Sequence, residues 1–378
     1  MANKGGLEGI VVADITTSLV NGAEGKLIYS GYSIEDLAAN ALFEEVVYLL
    51  HHVRLPNADE LEELRTSIAK QAVLPDPVLD LMQTLPKDTA AMAVVRTATS
   101  MLSAYDPDAE DLHDKDIARA KAMRMLGQVT TICAAWTRIS KGQDPVTPRE
   151  DLTLAQNFVY MMTGNDPDPT AVDAVNAYLV LLAEHGMNAS TFTSRVVTAT
   201  TSDMHSAVVA AIGALKGPSH GGANAEAMKM FLEIGEPDDV QDWFDKNVKN
   251  GDRRIMGMGH RVYKAPDPRA GVLKDRAKAL AENSGNSKWY DIAVKLEEAA
   301  RADDFFIERK LFPNVDYYSA IVLYTLDLDI DMFTPLFVMA RMAGWTAHIV
   351  DQMGGRLIRP KGQYVGPEDL PWTPVAER

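Results

Sequence analysis

Apolar residues recur every three to four positions along nearly the whole chain, and that rhythm commits it to helices before any other property is considered. Ser33-Ile-Glu-Asp36 reads as a capping box ahead of Leu37, Ala41, Leu42, Val46, Leu49 and Leu50, apolar positions at helical spacing. Asn57 to Glu60 repeats the signal after Pro56. Asp76-Pro77, Asp88-Thr89 and Asp114 open further periodic stretches, the last running through Met125, Val129, Cys133 and Trp136. The same period marks segments at about 150–163, 168–185, 189–201, 203–215, 222–234, 238–249, 268–283, 287–300, 316–327 and 332–352. The pattern predicts roughly fifteen helices punctuated by Gly, Pro and Asp. Only the start reads as strand: Ile10-Val-Val-Ala13 and Lys26-Leu-Ile-Tyr29 flank a turn-rich stretch containing Asn21-Gly22. The expected fold class is all-α with a small N-terminal β-hairpin.

A chain of 378 residues is long enough for one or two sizeable cores. With 47% hydrophobic and 24% charged residues it is neither a disordered chain, a fibre nor a small disulfide scaffold. Its 37 basic and 53 acidic side chains give a net charge of −16, a field that repels phosphate backbones and anionic lipid. No nucleic-acid or membrane partner is therefore expected. Cys133, the only cysteine, has no internal disulfide partner and cannot build a metal site alone, which points to a reducing, cytoplasmic setting. The first residues lack the apolar core of a signal peptide, and stretches such as Ser206 to Leu215 are too short to span a bilayer. No period of about 20–50 residues repeats, so a helical solenoid is not expected. One window breaks the acidic trend. Between Asn250 and Arg276, seven cations (Arg253, Arg254, Arg261, Lys264, Arg269, Lys274, Arg276) face three anions (Asp252, Asp267, Asp275).

Four places hold residues suited to chemistry. In Gly217-Pro-Ser-His-Gly-Gly-Ala-Asn224 a turn delivers His220 to the start of a periodic helix, where the positive dipole end disfavours imidazolium. A neutral imidazole there can donate a hydrogen bond to a developing enolate oxygen, as in the triosephosphate isomerase pattern; a turn histidine of no consequence is the other reading. Gly257-Met-Gly-His-Arg-Val-Tyr-Lys264 lies in the basic window. Its two glycines permit close backbone approach to a ligand and its cations suit phosphates, but it lacks the remaining marks of a dinucleotide fold or P-loop, and a solvated basic loop fits equally. In Pro313-Asn-Val-Asp316, Asp316 is either a helix N-cap or a general base on a loop between helices. Arg341 sits in the apolar run Thr334 to Val350 with no acid three or four positions away, so it needs either a distant carboxylate or an anionic substrate.

Taken together, these segments resemble the citrate synthase family, and the match runs almost end to end. Gly6-Leu-Glu-Gly-Ile-Val-Val-Ala13, Leu27-Ile-Tyr-Ser-Gly-Tyr32, Glu184-His-Gly-Met-Asn-Ala-Ser-Thr-Phe192 and Arg356-Leu-Ile-Arg-Pro360 add to the four places above. The resemblance is to the short, dimeric bacterial or archaeal form. It implies condensation of acetyl-CoA with oxaloacetate to citrate and CoA, the first step of the tricarboxylic acid cycle. Asp316 would remove the methyl proton of acetyl-CoA, His220 would stabilise the enol or enolate oxygen, and His260 would polarise and protonate the ketone of oxaloacetate. His185, Arg269, Arg341 and Arg359 match the oxaloacetate-binding positions, with Arg359 reaching in from the partner subunit of a homodimer. Arg254, Ile255, Met256, Gly257, Met258, Gly259 and Asn314 match CoA-contacting positions, and Lys264 is a plausible phosphate partner. Ser219 stands where the family carries a larger apolar residue. No cofactor or metal is implied, since the CoA thioester is a substrate. Residues 1–220 with 325–378 would form a large helical domain, and 221–324 a small one carrying CoA-binding and catalytic residues. A 2-methylcitrate synthase using propionyl-CoA shares these motifs, because one methylene is worth only about 1–3 kcal/mol in a pocket. From another class, a non-catalytic helical CoA-binding or scaffold protein would share the helices without needing His220, His260, Asp316 and Arg341 in this order.

Overall fold

The computed structural model describes residues 6, 7 and 9–378; Glu8 of the first family-like motif and residues 1–5 lie outside them. A three-stranded antiparallel sheet comes first, made of β1 (Ser18–Asn21), β2 (Lys26–Tyr29) and β3 (Tyr32–Ser33). Then follow α1 (Ile34–Asn40), α2 (Phe43–His52), α3 (Ala58–Gln71), α4 (Asp76–Thr84), α5 (Ala91–Leu102) and the long α6 (Lys115–Ile139). Next come α7 (Leu154–Thr163), α8 (Pro169–Leu182), α9 (Ala189–Thr198), α10 (Met204–Leu215) and α11 (Ala223–Ile234). The last are α12 (Val240–Phe244), α13 (Pro268–Ser284), α14 (Lys288–Arg301), α15 (Asp304–Glu308), α16 (Val315–Thr325) and α17 (Phe333–Gln352). The all-α expectation holds. Seventeen helices among the described residues exceed the expected fifteen, in part because the five-residue α15 is too short for a period to register.

Local chemistry accounts for most helix starts. Asn57 and Glu60 close a reciprocal capping box on α3, as the sequence suggests, and Thr153 with Gln156 closes another on α7. Ser33 accepts from the Asp36 N–H without a reciprocal bond, so that signal is half realised. Asp114 caps α6 by accepting from two main-chain N–H groups. Helix α5 departs from its local signal: it begins at Ala91, and its first N–H donates to Oδ2 of Asp331, 2.5 Å away and far along the chain.

The strand prediction needs one correction. Residues Ile10 to Ala13 form no strand; Ile10 and Val11 are exposed, and the Ile10 N–H turns back to the Leu7 carbonyl. The partner of Lys26–Tyr29 is Ser18–Asn21, because the turn at Asn21-Gly22 folds the chain directly back on itself, in the register Asn21 opposite Lys26. This small sheet is a structural prop. The Tyr29 hydroxyl donates to the carbonyl of Glu184, just past α8, at 2.8 Å. The β1–β2 turn lies on the segment after His260: the Lys264 N–H donates to the Gly22 carbonyl at 2.8 Å. Any Cβ at Gly22 would stand 2.1 Å from the carbonyl oxygen of Val262.

The core is built around α6 and α17, which pack on each other and are buried along almost their whole length. A helix apolar nearly all round, as α17 is, belongs inside a large protein, whereas the first turn of α6 is exposed and charged. Trp136 and Trp345 are fully buried on them. Helix α17 also packs on α2, α8, α9 and α10, while α13 packs on α16 and on α8. Helix α16 further touches α11 and α14, the Val315 N–H at its start donates to Asp267 at the start of α13, and the turn before α11 is held by Thr334 at the start of α17. Cys133 is buried with its thiol pushed up to about 12, which makes it unreactive.

Gly22→Ala is expected to destabilise by about 1–3 kcal/mol, since the new methyl must displace main chain rather than a flexible side-chain end. Gly271→Ala serves as the control: a Cβ there meets nothing within 4 Å, inside α13. It should stabilise by up to about 1 kcal/mol through helix propensity. Urea unfolding midpoints of the two variants should therefore move in opposite directions.

Candidate active site

Seven segments supply side chains that are linked through Arg269 and Arg341. His185 follows α8, Ser190 lies in the first turn of α9, and His220 sits in the turn before α11. His260 and Tyr263 come from the connection before α13, which opens with Asp267 and Arg269. Asp316 stands in the first turn of α16, and Arg341 is halfway along α17.

His185, His260 and Tyr263 form an aromatic cluster, with ring centroids 5.6 Å apart for His185–His260 and 4.8 Å for His260–Tyr263. The main-chain N–H groups of Val262 and Tyr263 donate to Nδ1 of His260 at 3.0 and 3.2 Å. A neutral ring accepting at Nδ1 carries its proton on Nε2, so His260 is a donor through Nε2. Burial first, then the Arg269 charge, lowers its pKa to about 4. His185 is likewise held well below its usual value by burial and by Arg269 and Arg341.

His220 is organised the opposite way round. The Ser190 N–H donates to its Nε2 at 3.3 Å, with the Ser190 hydroxyl 2.8 Å from the same nitrogen. That leaves the proton on Nδ1. Ser190 is itself held by Asn188 Oδ1 at 2.8 Å and by the indole N–H of Trp345 at 3.1 Å. Burial and Arg341 push the His220 pKa down to about 4. The sequence puts this histidine at or near a helix N-terminus, where the dipole would disfavour imidazolium. It lies three residues before α11, and the causes of its neutrality are burial and a neighbouring cation.

Asp316 is not on an interhelical loop. It occupies the second position of α16, and Asn314 takes the N-cap, accepting from the Asp316 N–H at 2.9 Å. The cap reading thus belongs to Asn314. Burial raises the Asp316 carboxyl to about 6, with Arg269 opposing and Asp267 reinforcing the shift.

The arginines divide three ways. Arg269, 3% exposed, gives Nε and Nη2 to Asp267 at 2.9 and 2.8 Å, so one edge of its fork is already occupied. Arg341, 2% exposed, donates only from Nε, to the Leu182 carbonyl at 2.7 Å. Among the described residues its terminal nitrogens have no hydrogen-bond partner. Its guanidinium lies 4.9 Å over the Phe337 ring and feels the charge of Glu184, the distant carboxylate that the sequence left open. Arg359 is exposed in the segment after α17 and makes no hydrogen bond or ion pair with the other site residues among the described residues.

The basic window also resolves. Arg253, Arg269, Lys274 and Arg276 pair with Glu233, Asp267, Glu297 and Asp173. Arg254 and Lys264 are exposed and make no ion pair among the described residues. Between them Ile255 is buried, whereas Met256, Met258 and Gly259 are half-buried. The close approach at Gly257 is to protein: with φ +79°, its missing Cβ would lie 2.8 Å from Cα of Tyr317. Its carbonyl accepts from the Asn314 N–H at 2.9 Å, and the Asn314 amide donates to the Gly259 carbonyl at 2.8 Å. These bonds lock the 255–259 segment to the start of α16. Ser219 is exposed. Sequence reasoning missed Ser190, Tyr263, Asp267 and Glu184. Asp267-Pro268 is a visible helix start, and Glu184, Ser190 and Tyr263 stand inside motifs already singled out, but nothing local marks their contacts.

A family model described as citrate synthase, C-terminal domain, matches residues 6–361. The chain belongs to the citrate synthase family. It is 45% identical over 375 residues to citrate synthase 2 of Bacillus subtilis, covering 99% of this chain and 98% of that one. It is 41% identical over 374 residues to 2-methylcitrate synthase of Mycobacterium tuberculosis, covering 98% and 93%. Among solved structures it is similar to citrate synthase from Thermoplasma acidophilum in ternary complex with carboxymethyl coenzyme A and oxaloacetate. The TM-score there is 0.91 at 35% identity, covering 99% of this chain and 98% of that one. The citrate synthase family member described here is accordingly an acyl-transferring enzyme with that family's helical fold.

The raised pKa of Asp316 has a stability cost with a definite sign. Its folded value of about 6 exceeds the ordinary 3.8, so stability is full below the lower value and is lost as pH rises through the higher one. Asp316→Asn, which never ionises, is expected to raise the urea midpoint at about pH 8. The gain should shrink as pH falls from about 6 towards about 4. A gain independent of pH would assign it to packing instead.

Proposed function

We propose that this citrate synthase family enzyme condenses acetyl-CoA with oxaloacetate and hydrolyses the citryl thioester to citrate and CoA. One observation carries the reading: a half-buried carboxylate raised to about 6 and a neutral His260 both feel Arg269, a neutral His220 feels Arg341, and both histidine protons sit on defined nitrogens. A thioester α-proton is very weakly acidic, so a carboxylate alone is an inadequate base. Asp316 takes the methyl proton while His220, through Nδ1–H, donates to the thioester oxygen as it gains charge. The enolic carbon attacks the oxaloacetate ketone, and the ketone oxygen receives the proton from Nε2 of His260. Losing a preorganised donor of this kind costs about 10²–10³ in rate, and general acid–base help contributes roughly 10²–10⁴. Holding two substrates together supplies about 7–11 kcal/mol in favourable cases.

Arg341, with its terminal nitrogens open, suits bidentate capture of one oxaloacetate carboxylate; His185 and the free side of Arg269 assist. Arg359 would arrive from the other subunit of a homodimer. Arg254, Lys264 and the 255–259 segment, pinned by Asn314, would receive CoA, the two unpaired cations meeting its phosphates. We assign residues 221–324 to a small domain that closes on the remainder (1–220 and 325–378), excluding water from the enolate. A cytoplasmic place at the start of the tricarboxylic acid cycle fits this chemistry.

Steady-state kinetics with acetyl-CoA and propionyl-CoA side by side, using oxaloacetate, test the reading. The acetyl thioester should have the higher kcat/KM, and a preference for propionyl-CoA would move the enzyme to 2-methylcitrate synthesis. Because Asp316 must be ionised, kcat/KM should rise with pH around about 6. Asp316→Asn should abolish both turnover and exchange of the acetyl-CoA methyl protons while leaving oxaloacetate binding largely intact.

Shared sites make a separate expectation. Arg341→Ala and Arg359→Ala homodimers should each be nearly inactive. A mixed dimer collects both defects in one site and leaves the other whole, so random co-refolding should recover roughly a quarter of wild-type activity. Mixed dimers confirmed by mass but without recovery would show that each subunit supplies its own Arg359.

A further inference from the structure

The histidines of the cleft are neutral, so what each offers a substrate depends on which ring nitrogen bears the proton. One residue bears on that choice at two of them. The Tyr263 main-chain N–H donates to Nδ1 of His260 at 3.2 Å, and the Tyr263 hydroxyl lies 3.1 Å from Nε2 of His185. Its ring, in a residue only 3% exposed, stands 5.6 Å from the His185 ring and 4.8 Å from the His260 ring. The Arg269 guanidinium lies 5.7 Å over the same ring. The hydroxyl has no other hydrogen-bond partner among the described residues.

We propose that Tyr263 is a positioning residue for oxaloacetate: its hydroxyl donates to Nε2 of His185, which leaves the His185 proton on Nδ1, while its N–H secures the Nε2–H form of His260. The proposal rests on the reading that the cleft binds oxaloacetate. The direction of the His185 bond follows from what each alternative leaves unmade. If His185 donated from Nε2, the tyrosine O–H would have no acceptor and Nδ1 would be a bare lone pair. An unmade donor is costlier than an under-used acceptor oxygen. A lone pair also repels a carboxylate, whereas Nδ1–H attracts one. With Tyr263 donating, His185 becomes a donor like His220 and His260, complementary to the anion that Arg269 and Arg341 draw in. The spacing serves the purpose: His260 turns back to accept from residues 262 and 263, which brings the side chain of residue 263 alongside His185.

Tyr263→Phe isolates the hydroxyl, since it keeps the ring, the N–H and the stacking under Arg269. The KM and the calorimetric Kd for oxaloacetate should rise about 3–10-fold, the worth of one hydrogen bond. The KM for acetyl-CoA and the melting temperature should stay put. In ¹⁵N-histidine NMR spectra, with the His185 signals assigned by their loss in His185→Asn, the wild type should carry the proton on Nδ1. Tyr263→Phe should show both tautomers. On a His185→Asn background, Tyr263→Phe should weaken oxaloacetate no further. Wild-type oxaloacetate binding by Tyr263→Phe, a wild-type His185 protonated on Nε2, or equal weakening of both substrates with a lowered melting temperature would each overturn the proposal. If the wild type bound no oxaloacetate, the functional reading would fall, and the NMR result would still decide the role of Tyr263.

Discussion

Two permanently charged guanidinium groups sit inside a largely apolar helical body, and much of the site is organised by how their charge is managed. Arg269 and Arg341 are 3% and 2% exposed. Removing the partner of a buried charge typically costs about 3–5 kcal/mol, so neither can stand unanswered. Arg269 is answered by contact. Asp267, two residues earlier at the N-cap of α13, binds it through two bonds and also accepts from the Val315 N–H, tying the start of α13 to the start of α16. Arg341 is answered at a distance. It takes the Leu182 carbonyl through Nε and feels the Glu184 charge without a hydrogen bond to it among the described residues, which leaves its outer end for an anion.

The remaining positive field shapes the chemistry around it. It adds to burial in keeping His185, His220 and His260 neutral, and neutral imidazoles are what a site needs to donate hydrogen bonds without adding further charge. Glu184 in turn must be held ionised deep in the protein. Its Oε1 accepts from the Ser18 hydroxyl at 2.9 Å and the Gly186 N–H at 2.7 Å, with His348 Nε2 3.0 Å away. Arg195 lies 3.1 Å from the other His348 ring nitrogen and 2.7 Å from Asp351. The N-terminal sheet thus supports the site twice, through Ser18 under Glu184 and through Gly22 under the His260 segment.

The helical architecture was legible because the period of 3.6 is written locally; α13, α14 and α17 fall within a residue or two of where their apolar spacing puts them. Failures came where a partner was remote. The first strand was misplaced since Ile10 to Ala13 has strand composition but no neighbour to pair with, and α5 is started by Asp331 rather than by Asp88. Glycine chemistry misled in one place: Gly257 makes room for the Tyr317 backbone, and a sequence shows only that room is needed.

By itself the sequence determined the helical class and the order of the helices, and it put forward His185, His220, His260, Asp316, Arg269 and Arg341 as candidates for the site. It also carried enough of the family's pattern, spread over the whole chain, to name the reaction class. The tertiary structure alone decided which of these groups are neutral, which nitrogen His220 and His260 present, that burial lifts Asp316 to about 6, and that Ser190, Tyr263, Asp267 and Glu184 lie beside them. The physical reason is range. Helix propensity and capping act over three or four residues of chain, whereas burial and Coulomb interactions act through space between segments more than a hundred residues apart.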